Sequence, residues 1–375
     1  MTSDWNKKKL GDVCTFENGD RGTNYPSRSA QTASGVPFIN AGHLTESGLD
    51  FESMNFISRE RFNLLGSGKI RRGDILFCLR GSLGKFASVG NLSEGAIASS
   101  LIIVRPKDKI IPDFISAYFQ SDICARMVEL YRNGAAQPNL SGQSLSQFEI
   151  PLPPLPEQQR IVGILDEAFA HIATAKANAE KNRQNARALF ESHLQSVFSQ
   201  RGDGWFRTTV GEQLLLQRGF DITKDAQNPG KVPVVSSGGI KSYHDEPMSK
   251  APGVVLGRKG TLGSVYFLET DYWPHDTTLW VKDFRGNEPK FIYYFFKGLD
   301  VKHLDTGTAN PALNRNLVHP IEVSWIAPGL QGPVVETFDT LSDETQRLEA
   351  IYTQKLTALD ELKAALLHQA FSGAL

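Results

Sequence analysis

Two short turns carry the residues best suited to chemistry. Arg80-Gly81-Ser82-Leu83-Gly84-Lys85 sets cationic side chains beside glycines, and Arg258-Lys259-Gly260-Thr261-Leu262-Gly263 repeats the pattern. Glycine lets a backbone approach a phosphate closely, and arginine can pair through two N–H groups with one guanine edge. Amides suited to adenine edges lie in Asn133-Gly134-Ala135-Ala136-Gln137-Pro138-Asn139 and in Thr308-Ala309-Asn310-Pro311, which is followed by Asn314-Arg315-Asn316. A third loop offers Arg21, Asn24, Tyr25 and Arg28, with Arg218 and Lys224 in the matching place. Lys241, Tyr243 and His244 follow a Ser-Ser-Gly-Gly turn. The chemistry these sets suit is recognition of base edges and phosphates; for any single loop a solvated turn is the alternative.

Motifs for turnover are missing. There is no phosphate loop of the Gly-x4-Gly-Lys-[Ser/Thr] type, since Arg80-Gly81-Ser82-Leu83-Gly84-Lys85 continues with Phe86 and has the wrong spacing. No Gly-x-Gly-x-x-Gly follows a strand, no His-Glu-x-x-His occurs, and Gly-x-Ser-x-Gly is absent. The adjacent pair His275-Asp276 reads as a satisfied structural histidine, so no metal site is expected. Cys14, Cys78 and Cys124 are odd in number and widely spaced, which fits reduced structural thiols in a cytoplasmic protein. No apolar run approaches the ~18 residues of a membrane span, and the start of the chain lacks the apolar stretch of a signal peptide.

The elements that position these loops come twice. Gly134-Ala135-Ala136-Gln137-Pro138-Asn139-Leu140 returns as Gly307-Thr308-Ala309-Asn310-Pro311-Ala312-Leu313, an offset of 173 that still holds at Val197-Phe198-Ser199 against Ala370-Phe371-Ser372. Upstream the offset is larger: 200 at Trp5 against Trp205, and 179 at Arg80 against Lys259. The first copy therefore has extra loop residues ahead of a back segment of fixed length. This divides the chain into mixed fronts at 1–150 and 201–328 and helical backs at 151–200 and 329–375. The fold class expected is α+β: two tandem mixed α/β domains separated by two long antiparallel helices in a pseudo-twofold repeat.

The backs carry heptad seams. Ile161, Leu165, Ala168, Ile172, Ala175, Ala179, Asn182, Ala186 and Leu189 alternate spacings of four and three. Val334, Phe338, Leu341, Thr345, Leu348, Tyr352, Lys355, Leu359 and Leu362 do the same in register. Pro156-Glu157 suits a helix start, because proline lacks only an N–H that is unpaired there anyway. Small residues in one seam match bulky ones in the other, Ala175 against Leu348 and Ala179 against Tyr352, which favours close approach of the helices. In the fronts, strands are expected at 74–79, 101–104, 254–256 and 279–281, and helices at 113–119 and 290–297.

The formal net charge is −1, which argues against a protein that coats nucleic acid on charge alone. If such a chain binds DNA, basic partners should help it.

Several segments together resemble the specificity (S) subunit of type I restriction–modification systems. They are Leu152-Pro153-Pro154-Leu155-Pro156-Glu157-Gln158-Gln159-Arg160-Ile161-Val162 at a helix entry, Gly134 to Leu140 before it, Leu10-Gly11-Asp12-Val13 after Trp5, and Arg72-Gly73-Asp74-Ile75-Leu76. The second copy departs, with Ala327-Pro328-Gly329-Leu330-Gln331-Gly332-Pro333 at its helix entry. The resemblance implies two target-recognition domains held apart by a helical pair, each reading half of a split double-stranded DNA site. It implies no catalysis and no cofactor in this chain. S-adenosylmethionine would belong to two methyltransferase (M) partners, and ATP with Mg to restriction (R) partners. The alternatives are a coiled-coil scaffold with two protein-binding modules, and a stand-alone DNA-modifying enzyme with unrecognised motifs.

Overall fold

The computed structural model describes residues 5–46, 48–134, 138–200, 202, 204–301 and 312–375. The chain divides into two compact units, Met1–Ala177 with Lys355–Leu375, and Asn178–Gln354.

In the first unit, Ile75–Cys78 and Leu101–Pro106 pair antiparallel inside a four-stranded sheet completed by Cys14–Asn18 and Phe86–Ser88. These central runs are apolar at consecutive positions because both faces are covered. Side chains alternate across a strand, so Ile75, Phe77, Ile102 and Val104 enter one core and Leu76, Cys78, Leu101 and Ile103 another. The first core is shared with Pro112–Gln120, where proline at the helix start and Phe114, Ile115 and Tyr118 on the inner face make an amphipathic helix. The second core is closed by Ile39 and Ile97, from a further sheet that contains Val36–Ile39 and Ala96–Ile97.

The second unit has its own four-stranded sheet, in the order Leu215–Arg218, Thr278–Asp283, Gly253–Gly257, Val265–Leu268. Val254, Leu256, Leu279 and Val281 face the core that holds helix Pro289–Gly298, while Val255 and Trp280 face a smaller core on the other side. A three-stranded sheet of Gly239–His244, Val232–Ser236 and Trp273–Pro274 accompanies it. The strands and helices expected in both fronts are thus present.

Two long helices run Leu155–Phe198, 44 residues, and Gln331–Ser372, 42 residues. At 1.5 Å per residue each is roughly 60–66 Å long. In the first unit Arg160 Nη2 donates to the Leu375 carbonyl at 2.7 Å, and Lys176 Nζ donates to Asp360 Oδ1 at 2.7 Å. In the second unit Arg187 Nε donates to Glu349 Oε1 at 2.9 Å, and Phe198 stacks on Phe338 with centroids 5.6 Å apart. In each unit one helix's numbers rise as the other's fall, so the paired segments are antiparallel. The helix ends belong to the unit cores: Phe371 packs on Phe114 at 5.0 Å, and Phe198 on Phe291 at 5.3 Å. Phe371 is buried, worth roughly 1.5–3 kcal/mol, and Phe198 is half-buried.

The seams depart from the expected heptads. Leu189 is 73% exposed and Phe190 beside it 7%, while Leu348 and Leu362 are 40% and 47% exposed. Beyond Ala179 the inward positions are Arg183, Ala186, Phe190 and Leu194, so Arg183 and Phe190 replace Asn182 and Leu189 while Ala186 keeps its expected place. A straight helix with 3.6 residues per turn drifts by ~20° per heptad against a strict seven-residue repeat, and shifting the seam by one residue restores the facing.

Candidate nucleic-acid interface

The two glycine turns are built alike. Gly81 and Gly84 have φ of 82° and 82°, and Gly260 and Gly263 have φ of 79° and 71°, a left-handed region that side chains disfavour. Gly84 N–H donates to the Cys78 carbonyl at 3.1 Å, and Gly263 N–H to the Gly257 carbonyl at 3.2 Å. Each turn thus projects from the end of a buried central strand, with Arg80, Ser82 and Lys85, or Lys259 and Thr261, on its exposed rim.

Each turn is also tied to the amide-bearing loop of its own unit. Leu140 N–H donates to the Leu79 carbonyl at 2.9 Å, and Arg80 bridges Asn139, which itself bridges Asn133. Leu313 N–H donates to the Arg258 carbonyl at 2.8 Å, and Lys259 bridges Ala312. Arg80, Asn133 and Asn139 are therefore assembled by backbone pairing in one unit. Gln137 and Asn310 lie outside the described residues.

In the second unit a cleft of about 810 Å3 is lined by Arg218, Arg258, Asn314 and Arg315, four of the residues singled out from the sequence. Arg218 ends strand Leu215–Arg218, and Gly219 after it packs so closely that a Cβ there would overlap the carbonyl oxygens of Pro274 and His275. That contact delivers Asp276 to Arg218: Arg218 Nη2 donates to Asp276 Oδ2 at 3.0 Å. Arg258 Nη1 donates to the Asp276 carbonyl at 3.3 Å. Burial, and then the charge of Arg218, hold the Arg258 guanidinium below its ordinary pKa, and Asp276 opposes them. Asn314 caps helix Arg315–Val318 by accepting the Asn316 N–H at 2.9 Å, which fixes Arg315 in the first turn.

Other sequence-predicted residues are spread more widely. Arg21 Nη2 donates to the Ser99 carbonyl at 3.3 Å, and Asn24 Nδ2 to the Leu64 carbonyl at 3.1 Å. Asp20 holds this loop by accepting N–H groups of Gly22 at 2.6 Å and Gly66 at 2.7 Å; those bonds keep its carboxyl below the usual range. Tyr25 packs edge-on against Phe38 with centroids 5.9 Å apart, and Arg28 and Lys224 stand exposed in short 3-10 turns. Lys85 Nζ is turned to the Ala41 carbonyl at 3.1 Å. Lys241 and Tyr243 are exposed on strand Gly239–His244. His244 on the same strand is 6% exposed, accepts the Asn228 N–H at 3.1 Å and packs edge-on against Trp273, so it supports the strand rather than presenting a free edge.

Residues 2–182 match the family described as the type I restriction modification DNA specificity domain. That match spans just under half of the chain. Over 166 residues, 44% of this chain, it is 25% identical to the type I restriction enzyme EcoBI specificity subunit of Escherichia coli. Over 151 residues, 39% of this chain, it is 26% identical to the EcoKI specificity subunit of Escherichia coli strain K12. These alignments span 34% and 32% of the two relatives, about a third of each. The fold is similar to a chain from a structural study of complex assembly and conformational transition of the type I R-M system, with a TM-score of 0.85, 17% identity and 100% of both chains covered. It is also similar to the HsdS subunit from Thermoanaerobacter tengcongensis, with a TM-score of 0.63 and 17% identity over 99% of this chain and 97% of that one.

The thiols are poor nucleophiles. Burial pushes Cys14 and Cys124 up to about 12 and raises Cys78 as well, so all three stay protonated at neutral pH. No helix among the described residues is long and apolar enough to cross a membrane. Sequence reasoning missed Asp276 as the partner of Arg218. The only signal was its place beside His275, since nothing local links it to Arg218 at 58 positions' distance.

Proposed function

We propose that this chain is the non-catalytic subunit that gives a type I restriction–modification assembly its DNA sequence specificity. Each unit reads one half of a bipartite duplex site with its glycine turn and the loop tied to it. The chain is an internal repeat in which 1–150 and 201–328 are the readers and the coiled-coil-like helices of 151–200 and 329–375 set the gap between half-sites. Two M subunits using S-adenosylmethionine assemble on it in the cytoplasm, and R subunits using ATP and Mg join through them. The observation that carries this reading is the shared backbone device, Leu140 on Leu79 and Leu313 on Arg258, which seats cations and amides side by side at the end of a buried strand in both units. The matching strand orders of the two four-stranded sheets add support.

The test is to map modified adenines in DNA from cells that express the chain with its methylating partner. A split motif that disappears when the chain is removed is expected. An unsplit motif, or one indifferent to the chain, would overturn the proposal. The purified chain alone should neither cleave DNA nor transfer methyl groups; turnover by it alone would favour the enzyme alternative.

A further inference from the structure

The geometry points to Asp276 as a positioning residue that presets Arg218 and Arg258 to read a guanine in the half-site of the second unit. The inference rests on the DNA-reading role proposed above and deepens it at one position.

The carboxylate is anchored by Arg218 and lies beside a buried histidine. Asp276 Oδ2 accepts from Arg218 Nη2 at 3.0 Å, and Oδ1 lies 3.0 Å from Nδ1 of His275, which is 7% exposed. The Asp276 side chain is 19% exposed, whereas that of Arg218 is 54% exposed, so the acid is mostly covered and backs a guanidinium that lines the cleft. A guanidinium has five N–H donors in a planar fork. One bond to Asp276 leaves donors for a ligand while limiting rotation of a long side chain, and this lowers the entropy lost on binding. Arg258 is pinned to the same residue through its main-chain carbonyl. Arg218 and Arg258 line the cleft with Arg315, Asn314 and the carboxylate of Asp221, which lies close to Asp276, so three guanidinium groups meet two carboxylates and a net positive charge remains. The acceptor pair O6 and N7 of guanine is the base edge that a preset arginine fork fits best.

The matching corner of the first unit lacks the device: Asn18 precedes Gly19 where Arg218 precedes Gly219, and Leu79 takes the place of Arg258. Gly19 packs against the carbonyls of Ile97 and Ala98 as Gly219 does against those of Pro274 and His275. Arg21 Nη2 donates to the Ser99 carbonyl at 3.3 Å, as Arg258 does to that of Asp276. Ser99 thus stands where Asp276 does, and the carboxylate device belongs to the second unit alone.

The experiment compares the methylated motif in cells that express the methylating partner with wild-type chain, Asp276→Asn, Asp276→Ala or Arg218→Lys. Thermal melting of each purified variant serves as a folding control. The expected result is a split motif for wild type in which one guanine position loosens in all three variants, with discrimination there falling ~10-fold or more and the other half-site unchanged. Asp276→Asn is isosteric and carries the test if Asp276→Ala does not fold. A split motif with both halves unchanged in Asp276→Asn and Arg218→Lys overturns the inference and leaves the DNA-reading role standing. Loss of methylation at all sites equally, with no base preference altered, makes Arg218 a phosphate contact and also overturns it. Loosening at an A·T pair overturns the guanine assignment. Absence of any motif that depends on wild-type chain removes the DNA-reading role itself.

Discussion

Gln331 donates its side-chain amide to Oδ1 of Asn287 at 2.6 Å, and both residues are buried. The same Gln331 amide also donates to the Ile326 carbonyl at 3.1 Å, and its Oε1 accepts the Glu288 N–H at 2.8 Å. Asn287 Oδ1 takes a second bond from Trp325 Nε1 at 2.9 Å. This network joins the entry of the second helix to the sheet and to helix Pro289–Gly298. In the first unit Gln158, also fully buried, accepts the Ile111 N–H at 3.0 Å and donates to the carbonyls of Pro153 and Lys109 at 2.8 and 3.0 Å. The helix entries differ in nearly every residue, yet each keeps the glutamine that docks its own domain.

Replacing Gln331 with alanine strands the Glu288 N–H and the carbonyl of buried Ile326, and a buried group left unsatisfied costs about 1–3 kcal/mol. A loss of about 2–4 kcal/mol is expected for the second unit, read by denaturant-dependent hydrogen exchange of its core amides. A loss below about 0.5 kcal/mol would show that the network is not structural.

His319 Nε2 accepts the Leu216 N–H at 3.0 Å, which requires a neutral ring nitrogen. Burial first, then Arg315 and Arg285, lower the His319 pKa below 6.5. The folded state therefore resists a proton that the unfolded chain takes up. The stabilisation is fully present above about pH 6.5 and is lost as pH falls through the lower folded value. An NMR titration of the ring should place its midpoint below that of a free histidine; a midpoint above it would contradict the bond.

The displaced seam separates two neighbouring residues. Phe190 is 7% exposed and packs edge-on against Tyr294, while Leu189 is 73% exposed. Phe190→Ala should cost about 3–5 kcal/mol and Leu189→Ala no more than about 0.5 kcal/mol in chemical denaturation. Equal costs would mean that the strict heptad register holds after all.

If the paired helices are the spacer, removing seven residues from both shortens them by about 10 Å at 1.5 Å per residue. The gap in the methylated motif should then shrink by roughly three base pairs at 3.4 Å each, with both half-sites intact. An unchanged gap would remove the spacer role.

Periodicity and composition alone determined the long helices and the buried central strands. A four–three apolar spacing sustained from Ile161 to Leu189 has few uses besides a helix, and consecutive apolar runs such as Ile75-Leu76-Phe77-Cys78 need cover on both faces. The glycine turns were legible for the same reason, since Gly81, Gly84, Gly260 and Gly263 mark left-handed positions that other residues avoid. Seam register along the helices was less legible, because the drift between 3.5 and 3.6 residues per turn accumulates and each core corrects it locally.

The grouping of side chains into a cleft was decided by tertiary structure. Arg218, Arg258 and Asn314 belong to separate segments, and sheet pairing with the close passage at Gly219 brings them together. Asp276 is the sharpest case. A charge's partner is set by what lies a few ångströms away in space, and chain distance carries no trace of that until the strands have paired.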